Sequence, residues 1–130
     1  MKRLLQWMTL AALAAFAAAA HAQAGKKVEV LWLWQAAFRI TTPGGKVIVI
    51  DPWLKTNPKT PAQFKDLGAL GKEDLVLLTH GHFDHSADAA ELARTNKVRL
   101  YAPPGLKDTL IAVGELPADL GPGMNKSGIA

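Results

Sequence analysis

Leu75-Val-Leu-Leu-Thr-His-Gly-His-Phe-Asp-His85 is the stretch that decides how this chain is read. It holds three of the chain's four histidines, with an aspartate between them, directly after a short apolar run. Leu75 to Thr79 has the composition of a buried strand, bounded by Gly71 and Lys72-Glu73-Asp74 before it and by Gly81 after it. Ser86 to Thr95 then predicts a helix. Ala87, Ala89, Ala90, Leu92 and Ala93 supply helix formers and an apolar side, and Asp88 and Glu91 sit near the positive end of its dipole. The histidines thus fall where a strand's C-terminal end turns into a helix, which is where open α/β sheets bind their ligands.

Spacing matters as much as place. His80 and His82, two apart in extended chain, project to the same side and can share one ion. Asp84 and His85 fall where the chain enters the helix and can face a second point nearby. Imidazole nitrogens and a hard carboxylate oxygen suit Zn²⁺, and equally Mn²⁺ or Fe²⁺. Two such ions about 3.5–4 Å apart activate one bridging water and bring its pKa towards roughly 7. A single histidine at a strand end is usually a polar loop residue or a satisfied core group. Three histidines and an aspartate within six residues serve neither packing nor solubility.

Composition narrows the rest. With 130 residues, no cysteine and a formal charge of +4, one domain is the ceiling. Met1 to about Ala24 has the pattern of a secretory signal peptide: Lys2 and Arg3, an apolar Leu10 to Ala20, and a small-x-small site at Ala20-His-Ala22 or Ala22-Gln-Ala24. Its alanine-rich middle is short for a bilayer, which needs about 20 strongly apolar residues. The expectation is a periplasmic or secreted product, residues 25–130, with no stable membrane association after cleavage. Absence of cysteine excludes a lipid anchor on such a leader, and any disulfide. Without Lys2 and Arg3 the charge falls to +2, and the remaining lysines are scattered apart from Lys26-Lys27. No basic stripe invites nucleic acid.

In chain order, Val28 to Leu33 and Ala37 to Thr42 predict two strands, the second with Phe38 and Ile40 on one face and Arg39 and Thr41 on the other. Pro43-Gly44-Gly45 is a turn, and Lys46 to Ile50 a nearly all-apolar, central strand. Together they predict an antiparallel hairpin layer leading into Asp51-Pro-Trp53. Asp51, just past a buried strand, either caps a turn or orients a ligand from behind. Trp53 either walls a pocket or packs in the core. Leu54 to Gln63 is an ordered loop or lid, and Phe64 to Leu70 allows one short helical turn. The Leu75 strand, the Ser86–Thr95 helix and Val98 to Ala102 form a βαβ unit. Gly105 to Val113 follows as a short helix with Leu106, Leu110 and Ile111 as its apolar stripe.

Thr79-His80-Gly81-His82-Phe83-Asp84-His85 resembles the His-x-His-x-Asp-His signature of the metallo-β-lactamase superfamily. Adding Ile48-Val-Ile-Asp-Pro52 and Gly123-Met-Asn-Lys-Ser-Gly128, the chain from about Val28 onward is similar to the branch of metal-dependent hydrolases related to L-ascorbate-6-phosphate lactonase. The resemblance implies an α/β fold: the N-terminal half of an αββα sandwich, a β hairpin layer followed by a βαβ unit. It implies a centre for two Zn²⁺ ions with His80, His82, Asp84 and His85 as ligands, Asp84 also catalytic, and Asp51 orienting a ligand. Where this branch commonly has Gly-His or Gly-Gln before its second strand, Trp34-Gln35 stands here. Gln35 either points into the site or is a polar strand end.

The activity implied is attack by a metal-bound hydroxide on an ester, lactone, amide or phosphoester of a small-molecule substrate. The histidines would act as ligands and not as proton shuttles. No histidine follows His85, and Asp108 and Asp119 stand in contexts that match no later ligand of the superfamily. The domain is therefore expected to be incomplete, with an open sheet face prone to aggregation. The competing expectation is an inactive exported fragment that binds metal weakly or not at all. General metal capture ranks last, since it calls for more histidine or cysteine than this chain offers.

Overall fold

Val47 and Val49 are buried while Ile48 and Ile50 are half-buried, and this two-residue period sets which face of the sheet is covered. The computed structural model describes residues 27–122 and Met124. The expected leader and the Asn125-Lys-Ser-Gly128 stretch lie outside the described residues. β1 (Glu29–Trp32), β2 (Phe38–Thr41), β3 (Val47–Ile50), β4 (Leu75–Leu77) and β5 (Leu100–Tyr101) stand side by side in chain order. The first two pairings are antiparallel, and β3–β4 and β4–β5 are parallel. The α/β reading holds, with the hairpin layer and the βαβ unit fused into one mixed sheet.

One face of that sheet carries Val49, Val76, Leu78 and Leu100, buried beneath Ala89, Leu92 and Ala93 of the following helix. The registers Trp32↔Phe38↔Ile50↔Leu77 and Val30↔Ile40↔Ile48↔Leu75 put eight apolar side chains on the opposite face. Val30 and Trp32 are well exposed there, and the other six are only half-buried. The strand expected to be central is covered on one side only.

The predicted Ser86–Thr95 helix is in fact two. A single turn, α1 (Phe83–Ser86), is followed by α2 (Ala89–Asn96). Asp88 separates them because it is recruited elsewhere. Its carboxylate accepts from the N–H groups of Leu54 (2.6 Å) and Lys55 (3.0 Å), and its own N–H donates to the Pro52 carbonyl at 2.9 Å. The aspartate expected to favour the helix dipole instead ties down the loop after β3, so that loop is a fixed wall. α2 ends on Lys97 in the left-handed conformation, whose N–H closes back on the last turn. Pro104 opens α3 (Pro104–Ala112) after Pro103 as its N-cap, since proline in the first turn costs no hydrogen bond. Leu106, Leu110 and Ile111 pack from it onto the core. Among the described residues no helix is long and apolar enough to cross a membrane.

Strand β4 stops two residues short of the expected Thr79, and the reason leads to the site. Leu78 still donates to the Tyr101 carbonyl at 2.8 Å, but the Thr79 N–H turns away from the sheet to the Asp51 carboxylate.

Candidate metal centre

The ends of β3 and β4 meet in one carboxylate. Asp51 is buried and lies in the left-handed region at φ 46°, which aspartate tolerates better than most residues. Its Oδ1 accepts the Thr79 N–H at 2.8 Å. Its Oδ2 accepts the Thr79 hydroxyl at 2.7 Å and faces the Nδ1 of His85 at 2.9 Å.

These contacts fix which ring nitrogens carry protons. A carboxylate only accepts, so a neutral His85 keeps its proton on Nδ1 and leaves the Nε2 lone pair free. The single hydroxyl proton of Thr79 is spent on Asp51, so Thr79 Oγ1 can only accept from the His80 Nδ1 that lies 3.0 Å away. His80 is then also the Nδ1–H tautomer, with a bare Nε2. One aspartate therefore orients two imidazoles, one directly and one through a hydroxyl. Outer partners of this kind fix ring orientation and raise donor basicity at metal sites. Nothing in the sequence assigns Thr79 a role by its residue type alone. Its position immediately before His80, at a strand end, was the signal to follow.

The free nitrogens face other donors. His80 Nε2 stands 2.9 Å from His82 Nδ1, with the two rings edge to face. His85 Nε2 stands 3.7 Å from Asp84 Oδ2, and the His80 and His85 rings lie 4.0 Å apart. The four residues predicted to act together are thus brought together as two adjacent pairs. Nitrogens bound to one tetrahedral zinc at about 2.0–2.1 Å lie roughly 3.3 Å apart, so the His80–His82 pair needs to open by only a few tenths of an ångström. Among the described residues no three His, Asp or Glu side chains converge on one point in a way that would hold an ion. The chemistry of the donors fits a divalent cation; their number fits half of each coordination sphere.

Around these pairs the wall is aromatic and polar. The indole of Trp53 donates to Thr56 Oγ1 at 2.7 Å and lies against Phe83, ring centroids 5.4 Å apart, so Trp53 flanks the histidine motif. Gln35 does reach the site: its Nε2 donates to Asp84 Oδ2 at 2.6 Å. Gly81 lets α3 come close, since a β-carbon there would meet Leu106 Cδ1 at 3.1 Å.

Comparison with known proteins follows the same residues. A family model described as Beta-lactamase superfamily domain matches residues 46–126. Over 102 residues the chain is 62% identical to a protein of Polaromonas sp. named UPF0173 metal-dependent hydrolase, covering 78% of this chain and 37% of that one. A protein of the same name from Cupriavidus necator is 59% identical over 102 residues, with 78% and 35% covered. Among solved structures, Igni18, a novel metallo hydrolase from the hyperthermophilic archaeon Ignicoccus hospitalis, superposes with a TM-score of 0.66 at 32% identity. That match covers 79% of this chain and 42% of Igni18. The chain spans little more than a third of the length of these curated relatives.

Proposed function

Because the chain belongs to the β-lactamase superfamily, whose domain its residues 46–126 match, we propose that the two donor pairs form part of a metal-dependent hydrolytic centre. The observation that carries this reading is the single Asp51 carboxylate, which leaves the Nε2 atoms of both His80 and His85 as bare acceptors at the end of β4. The His80 lone pair is turned to His82 Nδ1 and the His85 lone pair to the Asp84 carboxylate, so each faces a second potential ligand. The names of the relatives, metal-dependent hydrolase and metallo hydrolase, point the same way.

In this reading His80 Nε2 and His82 Nδ1 hold one divalent ion, and Asp84 and His85 Nε2 hold a second. When bound, such ions polarise a substrate oxygen and acidify water to a pKa of roughly 7. Asp84, only partly buried, orients the attacking water and takes its proton. Asp51 and Thr79 keep the rings from rotating. The histidines move no proton, because each Nδ1–H of His80 and His85 is held by its partner behind the ring. The substrate class is an ester, lactone, amide or phosphoester. Zn²⁺ is the first candidate ion, with Mn²⁺ and Fe²⁺ suited to the same donors.

Metal counting by inductively coupled plasma mass spectrometry on the purified chain tests the centre. Close to two ions per chain, both lost in His80→Ala/His85→Ala, is the expected result. No uptake, or uptake indifferent to those substitutions, overturns it. A second reading rests on the pairs' shortage of donors among the described residues: the chain unaided binds ions weakly and hydrolyses nothing. Substoichiometric metal without turnover would favour that reading.

A further inference from the structure

The turn between β1 and β2 is strained where its sequence offers no glycine. Trp34 (φ 87°) and Gln35 (φ 56°) both occupy the left-handed region, which bulky residues adopt rarely and keep only when their surroundings hold them there. The holding contacts are visible. Leu33 N–H donates to the Ala37 carbonyl at 2.9 Å, and Ala37 N–H donates to the Trp34 carbonyl at 3.1 Å. The Trp32 indole donates from Nε1 to the Gln35 carbonyl at 3.0 Å, and the Trp32 and Trp34 rings stack at 4.5 Å with 14° between their planes. This turn gives Gln35 a fixed mount, and from it the side chain crosses to the far side of the site.

What it meets there is one particular atom. Gln35 Nε2 donates at 2.6 Å to Asp84 Oδ2, the oxygen that also faces His85 Nε2 at 3.7 Å. Asp84 is only partly buried, and a carboxylate in that setting turns about its χ angles unless something holds it. We propose that Gln35 is a positioning residue for Asp84, held by the Trp32–Trp34 turn so that Oδ2 stays directed at the point His85 Nε2 also faces. The proposal rests on the reading that Asp84 and His85 face a cation. It adds a residue from the hairpin at the edge of the sheet, 49 positions away in sequence. A dipolar amide suits the task because its N–H fixes the oxygen without adding a cation that would compete with the ion.

Gln35→Asn separates the bond from the backbone. Asparagine tolerates the left-handed conformation, but its amide falls one methylene short of Asp84. Co²⁺ affinity of the purified chain, followed through its visible absorption, is measured for Gln35→Asn alone and in an Asp84→Ala background. The expected result is a loss of about 10- to 100-fold in the unaltered background and less than about twofold once Asp84 is gone, as for an outer partner acting through its ligand. Gln35→Glu, which keeps the reach but opposes two acceptors, is expected to lose at least as much as Gln35→Asn. Equal losses in both backgrounds, or none in the first, overturn the assignment of Gln35 while leaving the metal reading standing. Failure of the unaltered chain to take up Co²⁺ overturns both.

Discussion

Replacing Asp51 by Asn changes a single atom type at the junction of β3 and β4, and the hydrogen-bond arithmetic says it should invert both imidazoles. Asparagine accepts the φ of 46° and the volume, so the backbone is not the issue. The Thr79 N–H needs an acceptor, which keeps the amide oxygen in the Oδ1 position. The amide nitrogen then stands where Oδ2 was, 2.9 Å from His85 Nδ1 and 2.7 Å from Thr79 Oγ1, with two protons to donate. His85 Nδ1 becomes an acceptor and its proton moves to Nε2. Thr79 Oγ1 now accepts from the amide and turns its own proton to His80 Nδ1, so His80 also becomes the Nε2–H tautomer. Both nitrogens proposed to face a cation are capped. Loss of one such outer partner typically costs 10- to 100-fold in metal affinity, and here two rings are affected, so at least about 100-fold is expected. Three charge-assisted bonds become neutral ones, partly offset by removal of a buried charge. A net loss of about 2 kcal/mol is expected, or roughly 8–16 °C in Tm for a domain of this size. Long-range ¹H–¹⁵N correlation spectra read the tautomers directly. Protons found still on Nδ1 of both His80 and His85 in Asp51→Asn would refute the reasoning, whatever the metal affinity.

Other outcomes follow from single contacts. Asp84→Ala in a full-length relative, at the matching position, should abolish turnover yet leave the thermal midpoint within a few degrees, since the side chain is partly exposed and on the rim; unchanged kcat with verified metal content would reject its role. Glu73 is fully buried with neither carboxylate oxygen hydrogen-bonded, and burial raises its carboxyl above the ordinary 4.5 against the opposing charge of Arg39. The folded chain then holds that proton more tightly than the unfolded one, so this group's contribution to stability falls as pH rises from the ordinary value through the raised one. Glu73→Gln should therefore raise Tm at pH 7.5 and leave it nearly unchanged below pH 4, which differential scanning calorimetry at the two pH values checks. Asp88→Ala frees the Leu54 and Lys55 N–H groups, one of them buried, and should cost about 2–4 kcal/mol in urea unfolding. Gly121→Ala would place its β-carbon 2.9 Å from Leu116 Cδ2 and 3.1 Å from Ile111 Cδ1, and should cost about 1–3 kcal/mol in the same assay.

Local chemistry explains which parts of this molecule could be read from its sequence. Alternating and apolar runs gave β1 to β4 to within a residue or two, because side-chain period and strand period are the same physical fact. Clustering of His80, His82, Asp84 and His85 marked the site for a similar reason: four donors in one short turn cannot avoid being neighbours. What escaped depended on contacts between distant positions. Nothing near Asp88 announces that the loop at Leu54 will claim its carboxylate and split a helix. Likewise the sequence leaves Gln35 open between entering the site and ending a strand, and only the distant Trp32 indole and Asp84 decide it.

The placement of the centre follows from the change in strand direction across the sheet. β3 and β4 run parallel, so their C-terminal ends deliver Asp51 and the Thr79–His80 pair to the same rim. The antiparallel β1–β2 hairpin brings its connecting turn to that rim as well, since Trp32 and Phe38 lie opposite Ile50 in register. A wholly antiparallel sheet would have sent the chain after β4 to the opposite end. A wholly parallel one would have needed a long crossover where the five residues between β1 and β2 now carry Gln35. The mixed sheet is thus what lets one buried aspartate govern two imidazoles from behind while an amide from the hairpin restrains the carboxylate in front. Moving that hairpin by one residue in register would turn Gln35 away from the site, and would shift Arg39 from the helix-covered face to the half-exposed apolar one in place of Phe38.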